Sequence, residues 1–94
     1  MAELFNAQVA PHIYCGPVAH AAAAHVAFSS PSFLVLETIL TDFHSRVVKK
    51  PLYWQEGYLL PGSEPGLGLE LDEAVIAAHP VADDTPLHLS LIHI

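Results

Sequence analysis

Basic residues are nearly missing from this sequence. It has three among 94, Arg46, Lys49 and Lys50, against ten acidic residues, for a net charge of −7. Residues 1–50 balance these three with Glu3, Glu37 and Asp42, so the whole deficit lies in residues 51–94, which hold no Lys or Arg. A chain without a basic patch has little with which to neutralise phosphates, which argues against binding nucleic acid or an anionic membrane surface. Cysteine is down to Cys15, so no internal disulfide can form, and a reduced, cytoplasmic setting is the simplest expectation. No charged-then-apolar leader and no apolar run of membrane-spanning length is present, and a soluble protein is expected. Apolar residues, by contrast, make up 52% of the chain. Ninety-four residues allow one small domain or a piece of a larger one, and so much apolar surface in so short a chain implies faces that something else covers.

Local signals divide the chain. "MAELFN" reads as the last turns of a helix stopped at Asn6. "AQVAPH" follows as a short strand, with Pro11 at its end, where a missing N–H does least harm. Gly16-Pro17 opens a helix over about 17–28, rich in alanine, which "SSPS" breaks. Phe33 to Glu37, "FLVLE", is a continuous apolar run of the kind buried on both faces of a parallel sheet, and it ends in a carboxylate. Beyond Lys50, "PLYWQEGYLLPG" predicts an irregular hairpin around Gly57. "LGLEL" then predicts an alternating strand over 67–71, leading into a helix capped by Asp72 and ended by Pro80. No internal repeat is present.

Residues 8–37 thus form strand, helix, strand, with strands at about 8–12 and 33–37. A right-handed parallel βαβ unit ends both strands on one side of the sheet, so His12 and Glu37 are expected side by side. In a (β/α)₈ barrel that rim carries the active site. A histidine at a strand end is more often structural than catalytic, but this one follows a rigid proline, precedes a Gly-Pro turn and gains an acidic neighbour. Imidazole serves as general acid or base near neutrality. Glu37 is open to three readings: metal ligand, substrate hydrogen-bond acceptor or solvated strand end.

Other candidates carry less. Cys15 lacks the rest of a nucleophile constellation and reads as packing. His20 and His25, five apart, do not share a helical face as i, i+4 metal ligands do. Gly66 and Gly68 lack the lysine and the spacing of a phosphate loop. Tyr53, Trp54 and Tyr58 read as hairpin packing, and His44, His79, His88 and His93 have no usable spacing. The terminal "LSLIHI", residues 89–94, matches a translated sequencing-adapter end and is expected to be non-native.

Taken together, the PH-x-x-x-GP turn at 11–17, the strand ending in Glu37 and "PGLG-x-E-x-D" at 65–72 resemble the mandelate racemase/muconate lactonizing branch of the enolase superfamily. The likeness runs over about residues 1–89 and leans towards acid-sugar dehydratases of the galactonate type. It implies an α/β fold in which residues 1–45 are the last strand–helix–strand of the barrel. Residues 46–88 would return to an α+β capping domain. It implies a hydro-lyase that removes a proton α to a carboxylate, forms an enediolate and eliminates water, with racemase, epimerase or cycloisomerase chemistry as alternatives. His12 would be the general acid/base, and Glu37 would hydrogen-bond the substrate and the enediolate. Mg²⁺ would serve the complete enzyme, since the superfamily pairs a Lys or His base with one or two Mg²⁺. Its ligands, the lysine-bearing strand and the Asp that orients the histidine would all precede residue 1, leaving the 94 residues inactive alone. The partner would be a small acid sugar, and the complete protein a homo-oligomer. The competing reading is a small non-catalytic α/β interaction module in which His12 and Glu37 are only strand ends.

Overall fold

The computed structural model describes residues 1–83; the expected adapter-derived tail, Asp84, His88 and His93 lie outside the described residues. A single 3₁₀ turn, Ala2–Phe5, opens the chain and stops at Asn6, whose φ of 53° is the left-handed conformation asparagine tolerates. The chain then runs extended to His12. Val9 pairs in parallel with Phe33: Val9 N donates to Ser32 O at 2.8 Å and Leu34 N to Val9 O at 2.9 Å. The pairing stays a single bridge rather than two regular strands. Pro11 has no N–H for the next rung, and the next contact is Glu37 N to Pro11 O at 3.4 Å.

Between the two extended segments lies α1, Pro17–Ser29. Gly16 is its N-cap, Pro17 sits in its first turn, where a missing N–H is harmless, and Ser30 closes it in extended conformation. The helix is apolar nearly all round. It buries Ala21, Ala24, Ala27 and His20, yet leaves Val18, Val26 and Phe28 exposed. The run 33–37 is likewise less buried than expected: Phe33, Leu34 and Val35 are exposed, because the segment around Val9 is their one extended neighbour among the described residues.

A second, short helix, α2, spans Asp42–Arg46 and was not anticipated. Thr41 caps it by accepting from His44 N at 3.2 Å. It leads into β1, Val48–Lys50, which pairs antiparallel with β4, Glu70–Leu71, across an irregularity between Val48 and Lys50. The strand expected over 67–71 is therefore only two residues long. Gly68, at φ 72°, is still in a turn, its N–H donated to Pro65 O. Between β1 and β4 lies the hairpin of β2, Tyr53–Gln55, and β3, Tyr58–Leu60. It is regular rather than irregular: Tyr53 faces Leu60, Trp54 faces Leu59 and Gln55 faces Tyr58. Its two-residue loop, Glu56 at φ 50° and Gly57 at φ 83°, has the doubly left-handed backbone of a type I′ turn. The last helix, α3, is Glu73–Ala77, and the Asp72 carboxylate accepts from Ala74 N and Val75 N.

The buried core is small: Ile13, Ala21, Ala24, Ala27, Val47 and Val48, with His20 the one buried polar residue among the described residues. No helix among these residues is long and apolar enough to cross a membrane.

Candidate active site

His12 and Glu37 meet. The parallel path of residues 9–12 and 33–37 delivers both side chains to the same edge of the unit, where His12 Nδ1 is in contact with Glu37 Oε2. The same Oε2 accepts the backbone N–H of Ile13 at 2.8 Å. With Glu37 N on the Pro11 carbonyl, residue 37 is tied to three consecutive residues, 11, 12 and 13. Ile13 is buried, which anchors the turn, while the His12 side chain is 73% exposed and that of Glu37 47% exposed. The pair is therefore fixed at its base and open to solvent at its working face. With Nδ1 against Glu37, Nε2 is the nitrogen left for chemistry.

Cys15 follows in the same turn and is exposed, contrary to the packing expected of it. The turn puts it outside the core that Ile13 enters. Tyr14 is exposed as well.

The two helical histidines part as their spacing predicts. His20 is buried, with Nδ1 3.4 Å from Thr38 Oγ1 and Nε2 unpartnered. Burial pushes the His20 imidazole below its ordinary pKa, because the cation loses its hydration. His25 is exposed and donates from Nδ1 to Ala21 O. His20 borders a cleft of about 140 Å³ with Pro17, Leu40, His44, Lys50 and Trp54. Sequence reasoning passed over His44 and His79. His44 Nδ1 donates to Ile39 O, and His79 Nδ1 donates to Val75 O while its ring meets Phe43 edge-on. For His79 the four-residue step back to Val75 was the available signal; for His44 there was none. Trp54 faces Leu59 across its hairpin and also meets the His20 ring, while Tyr53 and Tyr58 are exposed.

No group of three or more His, Cys, Asp or Glu side chains among the described residues could hold a metal ion. Mg²⁺ calls for near-octahedral oxygen coordination, usually with one or two carboxylates, and the carboxylate at this edge already spends Oε2 on the Ile13 N–H and the His12 imidazole. The donors among the described residues do not make a Mg²⁺ site.

Residues 1–75 match the enolase C-terminal domain-like family. The chain belongs to it. Within this superfamily it falls in the mandelate racemase/muconate lactonizing branch, on the galactonate dehydratase side. It is 35% identical over 83 residues to a D-galactonate dehydratase family member from Streptomyces bingchenggensis, covering 85% of this chain and 20% of that protein. It is also 35% identical over 88 residues to the D-galactonate dehydratase of Cronobacter sakazakii, covering 83% and 22%. Among solved structures, the mandelate racemase/muconate lactonizing enzyme from Sulfitobacter sp. superposes with a TM-score of 0.83 at 45% identity, over 89% of this chain and 21% of that one. The corresponding enzyme from Jannaschia sp. CCS1 gives 0.81 at 40%, over 86% and 21%. The chain thus spans about a fifth of the length of the relatives it matches. The fold is the α/β barrel type of the enolase C-terminal domain, of which this chain is a part.

Proposed function

We propose that this chain supplies the last strand–helix–strand of the barrel, residues 1–45, and two active-site residues of an acid-sugar dehydratase. Residues 46–88 would pack on the capping domain. The observation that carries the reading is the meeting of His12 and Glu37 at one edge, in a chain related to D-galactonate dehydratases. The reaction is loss of water from a sugar acid: a proton leaves the carbon α to the carboxylate, and hydroxide leaves the β carbon.

Hydroxide is a poor leaving group and needs a proton as the C–O bond breaks. An exposed imidazole whose Nδ1 meets a carboxylate can deliver one from Nε2. Glu37 Oε1, the oxygen that takes neither the Ile13 N–H nor the His12 imidazole, accepts a hydrogen bond from the bound substrate or its enediol. The family's usual Mg²⁺ would neutralise charge on the substrate carboxylate, and its ligands would come from parts of the protein other than residues 1–83. The substrate is a small sugar acid, the compartment the cytoplasm and the working assembly a homo-oligomer.

The test is to recover the gene, express the complete protein and incubate it with Mg²⁺ and a panel of sugar acids, beside His12→Asn. Dehydration that drops by on the order of 10²–10⁴ in the variant supports the reading. Exchange or inversion at the α carbon without loss of water would transfer the protein to the racemase or epimerase alternative. Full activity in His12→Asn would overturn the role of His12.

A further inference from the structure

We infer that His20 is a positioning residue: from inside α1 it holds Thr38, and through Thr38 the backbone that seats Glu37. The inference rests on the proposed function for its catalytic meaning, and on the contacts of residues 20, 38 and 54 for its geometry.

α1 buries the small apolar side chains of Ala21, Ala24 and Ala27, and beside them one polar group, His20, which is 5% exposed. Packing alone does not call for an imidazole there. Its Nε2 is buried without a partner and its cation is disfavoured, costs that a leucine in the same place would not carry. What the imidazole reaches is Thr38, whose Oγ1 lies 3.4 Å from His20 Nδ1, one of the two atoms donating. Trp54 closes on the same ring from the hairpin, its centroid 5.7 Å away, and limits where the imidazole can turn. Thr38 directly follows Glu37, and successive side chains of an extended backbone point to opposite faces. Glu37 turns to His12 and Ile13 while Thr38 turns to α1, so a grip on one residue fixes the backbone that carries the other. That grip matters because the pairing with residues 9–12 is slack by this point. It reaches residue 37 through the 3.4 Å contact of Glu37 N with Pro11 O, against 2.9 Å for Leu34 N with Val9 O.

The Ile13 N–H, which the Glu37 carboxylate accepts, reports where Glu37 sits. Residue-resolved amide exchange on the 94-residue chain compares His20→Leu, His20→Asn, Thr38→Val and Thr38→Ser with the native protein. Leucine fills the site without Nδ1, and valine keeps the shape of threonine without its hydroxyl; asparagine and serine each keep a polar atom for the contact. His20→Leu and Thr38→Val should each speed Ile13 exchange by about threefold, and the double variant should exchange no faster than either. The Asp72 amide, bonded to Val47 O in another part of the chain, should not change. His20→Asn and Thr38→Ser should restore the native rate. Native Ile13 exchange in both apolar variants overturns the inference. So does equal acceleration at Ile13 and Asp72, which is general loosening, and so does a failure of both polar variants to restore the rate. In the complete protein, His20→Leu and Thr38→Val should lower kcat for dehydration by about tenfold, with recovery in His20→Asn. Native kcat in both apolar variants would also overturn it. The expected exchange pattern in a complete protein that dehydrates nothing would defeat the proposed function alone.

Discussion

The imidazole of His20 lies against the indole of Trp54, their ring centroids 5.7 Å apart and their planes tilted by 36°. That contact joins α1 to the β2–β3 hairpin, and it couples a buried ionisable group to the sole tryptophan of the sequence. Burial lowers the His20 pKa, so the unfolded chain binds a proton at a pH where the folded chain still resists it. Stability is therefore complete above about pH 6.5, the ordinary histidine value, and falls as pH drops towards the lowered one. His44 and Lys50 line the same cleft, Lys50 paired with Glu64. Urea melts followed by Trp54 fluorescence should show a falling midpoint from pH 7 to pH 5. His20→Leu should flatten that dependence and, by removing the unpartnered Nε2, leave the chain no less stable at pH 7. An unchanged slope in the variant would assign the acid sensitivity to another group.

The α3 cap offers a cleaner energetic contrast. Asp72 accepts from Ala74 N at 3.1 Å and Val75 N at 3.2 Å, and its own N–H goes to Val47 O at 2.9 Å, so it seats α3 on the end of β1. Asp72→Ala should lower stability by about 1 kcal/mol. The exposed pairs Lys49–Glu70 and Lys50–Glu64 hold both lysine pKa values up through the hydrogen bond to their glutamates, yet each is solvated. Lys49→Met and Lys50→Met should each cost less than the cap, and their cost should vanish in high salt while the Asp72→Ala loss persists. Denaturation at low and high ionic strength separates the two kinds of interaction.

What was legible in the sequence was what local chemistry dictates. Asn6 stops a turn, Pro17 starts a helix, Asp72 caps one and Gly57 reverses a hairpin, each within a few residues of its cause. The meeting of His12 and Glu37 was legible too, because two parallel segments joined by one helix must end on the same side. Illegible were the features set by distant partners. The pairing of Val48 with Leu71 joins residues far apart in sequence, and α2 is too short to show a helical period. The apolar run 33–37 signals burial, but burial needs neighbours that the residues themselves cannot specify. In "LGLEL" the alternation of leucines outweighed Gly68, whose left-handed backbone keeps the first half out of the strand.

The hairpin loop should accept improvement. A type I′ turn wants residues at home with positive φ at both central positions, and Glu56 holds φ 50° without the local hydrogen bonding that makes asparagine tolerant. Glu56→Asn should raise stability by up to about 1 kcal/mol, and Gly57→Ala should lower it by about 1–2 kcal/mol. Space is not the obstacle at Gly57, where an added Cβ meets nothing within 4 Å, so any loss measured there is conformational. Urea midpoints of the two variants therefore should move in opposite directions.

The exposed face of α1 and the 33–37 segment makes the last prediction. Val26 is 57% exposed, Phe28 49%, and Leu34 and Val35 both 56%, and the helix lacks the polar stripe that a solvent-facing helix carries. In a protein of the relatives' length such surface is the natural seat of neighbouring barrel elements; in the 94-residue chain it meets water. A solvatochromic apolar dye should brighten on the folded chain. Val26→Ser with Phe28→Ser should cut that enhancement while leaving the helical signal in far-UV circular dichroism, because neither side chain belongs to the buried alanine seam of Ala21, Ala24 and Ala27. If the double variant instead unfolded α1, these side chains would be contributing to the fold of the chain itself, and the apolar face would have to be counted as core.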